Sequence, residues 1–371
     1  MKQIRTALLS CLGLACLLFT VAAQADPAAL KQKLDAVIDR SIAENHLVGT
    51  VVLVARDGKL VYQRAAGLAD KKANRPMRLD TLFRLSSVSK PIVTVAALEL
   101  VEQKKLSMDD AVTKWLPDFT PKLVDGTAPK ITIRQLLTHT AGLGYKFTED
   151  ANGPYHRAKI SDGFDEINID LAEELHRLSG APLLSAPGTE WRYSLAIDVL
   201  GAVIERVTKK PLGAAIADLV TKPLAMTGTS FVVDPAHAAR VATPYIDAPA
   251  GPIPMTDPQT LAFGPMTLVY SPSRAFDPQA YPSAGAGMIG SATDLLKLLE
   301  TVRKGGAPVL TSATAGEMFH NQIAELPGMQ PGAGFGFGGA VVVDPAAAKT
   351  PQSKGTLYWG GVYGHTWFVD P

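Results

Sequence analysis

The chain reads as an α/β protein in which an antiparallel sheet with flanking helices is interrupted by an all-α insertion. Three observations point there: strand-like patterns fall near the two ends, helical periodicity fills the middle, and no internal repeat divides the 371 residues. A discontinuous α/β domain is expected over 26–80 and 283–371, with a mainly helical domain over 81–282.

Residues 28–45 show helical spacing, with Leu30, Leu34, Val37 and Ile38 on one side. Strands are expected at Thr50–Ala55 and Lys59–Ala65, joined by Arg56-Asp57-Gly58, whose Asp-Gly pair is a hairpin signal. Helices are expected at 87–103, 108–115, 132–138, 168–178, 194–207 and 212–219. The last third turns strand-like again at Phe335–Val343, Thr356–Gly360 and His365–Val369. The two halves of the sheet are expected to meet across the insertion. Residues 244–282 hold nine of the 27 prolines, together with Met255, Phe263, Met266 and Tyr270. A long aperiodic segment of this kind reads as a substrate-side loop or lid, with a plain surface loop as the alternative.

Residues 1–25 have the layout of a secretory signal: Lys2 and Arg5, an apolar stretch from Ala7 to Ala22, then Ala23-Gln24-Ala25 as a small-x-small cleavage site. The apolar stretch is short for a spanning helix. The expectation is a periplasmic or secreted protein that begins near Asp26 and has no membrane anchor once the leader is removed. Both cysteines, Cys11 and Cys16, lie inside the leader, so the mature chain has no thiol for a disulfide, a metal site or a nucleophile. About 345 residues remain, enough for one large or two interleaved domains. A net charge of +1 without long runs of either sign argues against nucleic acid and anionic membranes as partners.

The most informative segment is Ser87-Val88-Ser89-Lys90, followed by Pro91 and a largely apolar run from Ile92 to Leu100. On a helix, side chains at i and i+3 share a face, so the Lys90 nitrogen can reach the Ser87 hydroxyl. A serine is a poor nucleophile until its proton is removed, and an amine kept neutral by burial or by the positive end of a helix can remove it. Proline is comfortable among the first helical residues, whose amides have no partner, so the helix should begin close to Ser87. The free N–H groups there can stabilise an oxyanion. The residue before a proline is biased away from helical angles, which sets Lys90 in tension with this reading. Alone the spacing is weak, because it should occur about once by chance in a chain this long.

Trp191-Arg192-Tyr193-Ser194-Leu195 follows the turn signal Pro187-Gly188 and precedes a helix with apolar positions at Ile197, Leu200 and Val203. Tyr193 thus stands at a loop-to-helix junction, where a phenol near Lys90 can share the deprotonation of Ser87; a packing aromatic is the other reading. Near the end stands Trp359-Gly360-Gly361-Val362. Paired glycines at the end of an apolar strand let backbone approach a ligand, and the N–H of Val362 can then serve beside that of Ser87 as an oxyanion donor. A plain glycine turn is the alternative.

Ser87-x-x-Lys90, Tyr193-Ser194 and a glycine-bearing strand box, in that order, resemble the three signatures of the serine hydrolases comprising class C β-lactamases, D-alanyl-D-alanine carboxypeptidases and family VIII carboxylesterases. The resemblance runs from about residue 30 to the end and implies a β-lactamase/transpeptidase-like fold. It also takes in His139-Thr140-Ala141-Gly142-Leu143, which reads structurally: Thr132 caps a helix and Gly142 ends the turn after it. Tyr145, just beyond, is either a pocket-lining residue or an ordinary loop tyrosine. Family members usually continue with another strand, inside the sheet, and a terminal helix. The resemblance therefore implies that both are missing after Pro371, leaving either an inactive fragment or a compensated fold.

Two departures choose within the family. Leu195 stands where β-lactamases usually have Asn, and Trp359 where their third box usually begins with Lys. Losing a hydrogen-bond partner and a cation leaves an apolar wall suited to an uncharged acyl ester. The Trp-Gly-Gly form resembles family VIII carboxylesterases most closely.

Other signals carry less. Gly228-Thr229-Ser230-Phe231-Val232 lacks the last glycine of a nucleophile elbow, and Ser161-Asp162-Gly163 is an imperfect Ser-Asp-Asn box in a polar loop. The seven histidines show no metal-ligand spacing; His365, close behind the third box, reads as a strand residue. No metal or other cofactor is expected. The reading is a serine hydrolase working through an acyl-enzyme on short-to-medium acyl esters. Its alternatives are a β-lactamase or D-Ala-D-Ala carboxypeptidase, and a non-catalytic acyl-binding or sensor protein.

Overall fold

A computed structural model describes residues 27–165, 168–264 and 266–371; the leader expected at 1–25 lies outside the described residues. Helix α1 (Pro27–Ala43) precedes strands β1 (Gly49–Arg56) and β2 (Lys59–Asp70), then two short strands, β3 (Arg75–Pro76) and β4 (Phe83–Arg84). The helical middle holds α2 (Ser89–Glu102), α3 (Ile133–Leu137), α4 (Pro154–Arg157), α5 (Leu171–Gly180), α6 (Ala196–Thr208) and α7 (Leu212–Ile216). Short pairs follow, β5 (Tyr245–Ile246) with β6 (Ile253–Pro254) and β7 (Gln259–Phe263) with β8 (Met266–Tyr270), then β9 (Ile289–Gly290). The chain closes with α8 (Ala292–Arg303), α9 (Ser312–Glu317), β10 (Ala333–Phe335), β11 (Ala340–Val342), β12 (Leu357–Gly361) and β13 (His365–Val369).

The β1–β2 hairpin forms where the Asp57-Gly58 signal puts it, both turn residues taking positive φ (51° and 75°), the conformation that matches strand twist. One face of this hairpin receives α1, with Ile38 against Tyr62 and Ala66. The last four strands run antiparallel in the order β10-β11-β12-β13.

Four expectations need correction. The two halves of the sheet do not join by a ladder: among the described residues β1 pairs only with β2, and β13 only with β12. They are tied instead through what lies between them, α8 against β1 and β12 against the turn that leads into α2. The strand expected at Phe335–Val343 is a hairpin, because Gly336 to Gly339 reverse the chain and pair Phe335 with Ala340. The segment 244–282 is not aperiodic throughout, since a ladder running from Gln259–Tyr270 to Phe263–Met266 gives it a paired arm. The helix expected at 108–115 is only a single 3-10 turn, Val112–Lys114.

The core sits around α2 and α6. From Ile92 to Leu98 every residue of α2 is buried, and α6 is buried from Ala196 to Ile204, so both helices are enclosed on all sides. Thr132 starts α3 with a capping box: its hydroxyl accepts from the Gln135 N–H while Gln135 Oε1 accepts from the Thr132 N–H.

A polar cluster is folded in beside this core. Lys146 Nζ meets Asp165 Oδ2 at 2.5 Å, the Lys146 N–H donates to Asp162 Oδ1 at 2.8 Å, and the Ser161 N–H donates to both Glu174 oxygens at 3.1 Å. Ser161-Asp162-Gly163, expected in a polar loop, is thus buried, because its polar atoms find partners inside. Burial and the neighbouring Asp165 carboxylate push Asp162 up to about 8, and burial pushes Glu174 up to about 8.

Thr132→Ala is expected to lower the unfolding free energy by about 1 kcal/mol without loss of activity, as read by urea denaturation. The polar cluster sets a pH dependence. The native state keeps protons on Asp162 and Glu174 where the unfolded chain, with ordinary values of 3.8 and 4.5, has released them. Their contribution to stability is therefore complete below about pH 4 and is lost as pH rises towards about 8. Urea midpoints measured across that window should fall with rising pH, and Asp162→Asn should flatten the slope.

Candidate active site

Ser87 lies in a single 3-10 turn, Ser86–Val88, which passes directly into α2. Ser86 takes φ 42°, a strained value for a non-glycine residue that aims the turn. Lys90 and Pro91 occupy the first turn of α2, where Pro91 gives up no intrahelical hydrogen bond; helical packing overrides the pre-proline bias at Lys90.

The three residues expected from separate motifs converge on one oxygen. Lys90 Nζ donates to Ser87 Oγ at 3.2 Å, and Tyr193 OH donates to the same atom at 2.6 Å. Ser87 is 8% exposed and Lys90 1%. The amine also donates to the Gly285 carbonyl at 2.8 Å and lies 4.7 Å from the Tyr193 ring centroid and 5.5 Å from that of Tyr145. Aromatic faces and one carbonyl thus replace the water a surface lysine would have.

The third box reaches the same point. Trp359 Nε1 donates to Tyr193 OH at 3.3 Å, and their rings lie 5.1 Å apart. A Cβ on Gly361 would sit 2.5 Å from Ser86 Oγ and 2.6 Å from the Leu85 carbonyl oxygen, and one on Gly360 would sit 2.6 Å from the His365 carbonyl oxygen. Only glycine at 361 lets β12 lie so close to the turn that carries Ser87. Val362 comes next, in a turn closed by the Gly364 N–H donating to the Gly361 carbonyl at 2.9 Å.

One expected wall residue, Leu195, is placed away from the cleft, whereas Tyr145 lies against Lys90. Leu195 is fully buried, its N–H donating to the Gly144 carbonyl at the start of α6, so it presents no surface to a cleft. Tyr145 is stacked on Phe147 at 4.7 Å and tilted against Tyr193 at 5.1 Å. Burial holds its phenol well above the ordinary range. His365 is half-buried, with Nε2 2.9 Å from the Arg84 carbonyl oxygen.

Sequence reasoning missed three supports. Gly285 supplies the Lys90 carbonyl, and a Cβ there would sit 2.7 Å from Asp198 Oδ2 and 3.4 Å from both Lys90 Nζ and Tyr145 OH. Asp198, 2% exposed on α6, has its carboxyl pushed up by burial, an effect opposed by the Ser283 hydroxyl and the Lys90 charge. His139 packs its ring 5.0 Å from Tyr193, with Nδ1 3.1 Å from Ser194 Oγ; burial, then the Lys90 charge, holds it well below the usual histidine range and therefore neutral. The available signals were an acid in an otherwise apolar helix and the small-residue run 283–287. Among the described residues no cluster of His, Cys, Asp or Glu has the geometry to hold a metal ion.

The arrangement has the parts needed for acyl transfer: a hydroxyl with two proton-carrying neighbours, beside a glycine turn. Comparison with known proteins agrees. The Beta-lactamase family model matches residues 34–371. Esterase EstB of Burkholderia gladioli is 52% identical over 351 residues, covering 93% of this chain and 88% of that protein. The solved structure of EstCE1, described as a hydrolase with promiscuous acyltransferase activity, superposes with a TM-score of 0.89 at 48% identity, over 93% of this chain and 91% of that one. Simvastatin Synthase (LovD) from Aspergillus terreus superposes with a TM-score of 0.72 at 25% identity, over 94% and 91%. With its fold, its Ser-x-x-Lys turn and its length matched together, the chain belongs to the Beta-lactamase family.

Proposed function

We propose that this protein is a serine carboxylesterase that cleaves short-to-medium acyl esters through an acyl-enzyme on Ser87. The observation that carries the reading is the convergence of Lys90 Nζ and Tyr193 OH on Ser87 Oγ at 3.2 and 2.6 Å. Ser87 Oγ attacks the ester carbonyl while its proton passes to the Lys90–Tyr193 pair. The carbonyl π electrons move onto oxygen, where the N–H groups of Ser87 and Val362 receive the charge. Collapse breaks the bond to the leaving alkoxide, which takes the proton from the pair. Water then attacks the acyl-enzyme, gives its proton to the same pair, and Ser87 departs with that proton restored.

Trp359 supports an ester over a β-lactam as substrate. The indole N–H of Trp359 donates to Tyr193 OH and adds no second cation beside Lys90, so Trp359 offers a substrate carboxylate no ion pair. Esterase EstB, at 52% identity, supports the same choice. The leader read in residues 1–25 supports export to the periplasm or the medium. No helix among the described residues is long and apolar enough to cross a membrane.

Ser87→Ala is expected to lower p-nitrophenyl butyrate hydrolysis by at least about 10³-fold, and Tyr193→Phe by about 10²-fold, with the fold retained by circular dichroism. Hydrolysis by Ser87→Ala at the parent rate would remove the assignment. Turnover of p-nitrophenyl butyrate should exceed that of a chromogenic cephalosporin in parallel assays; the reverse order would point to a β-lactamase.

A further inference from the structure

The Pro-rich segment reaches the third box through the Tyr270 side chain. Tyr270, the last residue of β8, is completely buried and donates its hydroxyl to the Val362 carbonyl oxygen at 3.2 Å. Its ring meets Tyr363 edge-on at 5.0 Å and is tilted against Phe164 at 5.3 Å. The backbone around it is fixed by the pairing of Gln259 with Tyr270 and by the Ser271 N–H donating to the Phe164 carbonyl at 2.8 Å. Burial pushes the phenol up to about 12, so it remains a donor across the neutral range.

The consequence follows from peptide geometry. A trans peptide is planar, with its N–H and C=O pointing in opposite directions. The peptide that carries the Val362 N–H is held on its other side, where the Gly361 carbonyl accepts from the Gly364 N–H at 2.9 Å. The next peptide, between Val362 and Tyr363, is held at its carbonyl by Tyr270. In a turn with glycine at 360, 361 and 364, rotation of these planes would otherwise cost little. With both carbonyls tied, the direction of the Val362 N–H is fixed before substrate arrives.

We propose that Tyr270 is a positioning residue for the acyl transfer: its hydroxyl locks the peptide after Val362, holds the Val362 N–H towards the oxyanion, and makes the β7–β8 hairpin part of the oxyanion site. The proposal rests on Val362 being an oxyanion donor, and it predicts a fault in transition-state stabilisation with substrate binding left intact.

Tyr270→Phe keeps the ring and removes only the hydroxyl. For p-nitrophenyl butyrate the expected result is a kcat lowered about tenfold at unchanged KM, a fraction of the loss that follows removal of a whole oxyanion donor. Affinity for a trifluoromethyl ketone, which forms a tetrahedral adduct with the serine, should fall by a similar factor. An unchanged kcat would overturn the proposal. So would a raised KM at constant kcat, which makes the hydroxyl a substrate-binding group, or a lower kcat at unchanged ketone affinity, which places the fault elsewhere. Ser87→Ala run alongside separates the levels: activity there ends the acyl-enzyme reading, whereas an inert Ser87→Ala beside a fully active Tyr270→Phe ends only the role of Tyr270.

Discussion

The structure is organised around a lysine that is 1% exposed. Taking an amine out of water is costly unless its hydrogen-bonding sites are met, and Lys90 meets them with the Ser87 hydroxyl and the Gly285 carbonyl. The faces of Tyr193 and Tyr145 shield it further. Each of these groups comes from a different part of the chain, so burying one side chain fixes the relation of the α2 start, the α6 start, the 145 loop and the 283–287 run. Gly285 has to be small for the same reason, since Asp198, Lys90 and Tyr145 crowd the space where its side chain would be.

Around that amine, the departures from β-lactamase residues act together. Trp359 donates a hydrogen bond to Tyr193 OH, carries no positive charge, and makes ring contacts with Tyr193 and Phe335 at 5.1 and 5.5 Å. Leu195 is fully buried at the start of α6 and points no polar group at the cleft. The first position of the third box is left aromatic and uncharged, which suits a neutral ester. Gly361 of the third box serves contact with backbone: its missing side chain lets β12 lie against the Ser86 turn.

Much of this was legible in the chain because local rules govern it. Helix starts at Thr132 and near Ser87, the Asp57-Gly58 hairpin and the strand at His365–Val369 follow from capping, turn chemistry and periodicity. Misses cluster where short elements depend on distant partners. The Gly336–Gly339 reversal hides inside what reads as one strand, and the β7–β8 arm hides among prolines, because a five-residue strand carries little periodicity of its own.

The sequence by itself determined the order of the three family signatures and an α/β frame around a helical middle. It did so because spacing on a helix and the limits of proline and glycine act within a few residues. Only the tertiary structure decided that Lys90 and Tyr193 meet at one oxygen, that Gly285 and Asp198 enclose the amine, and that Tyr270 anchors the Val362 turn. The contacts made by Tyr193, Gly285 and Tyr270 join residues 92 to 195 positions apart, and nothing local encodes which buried groups close packing will bring together.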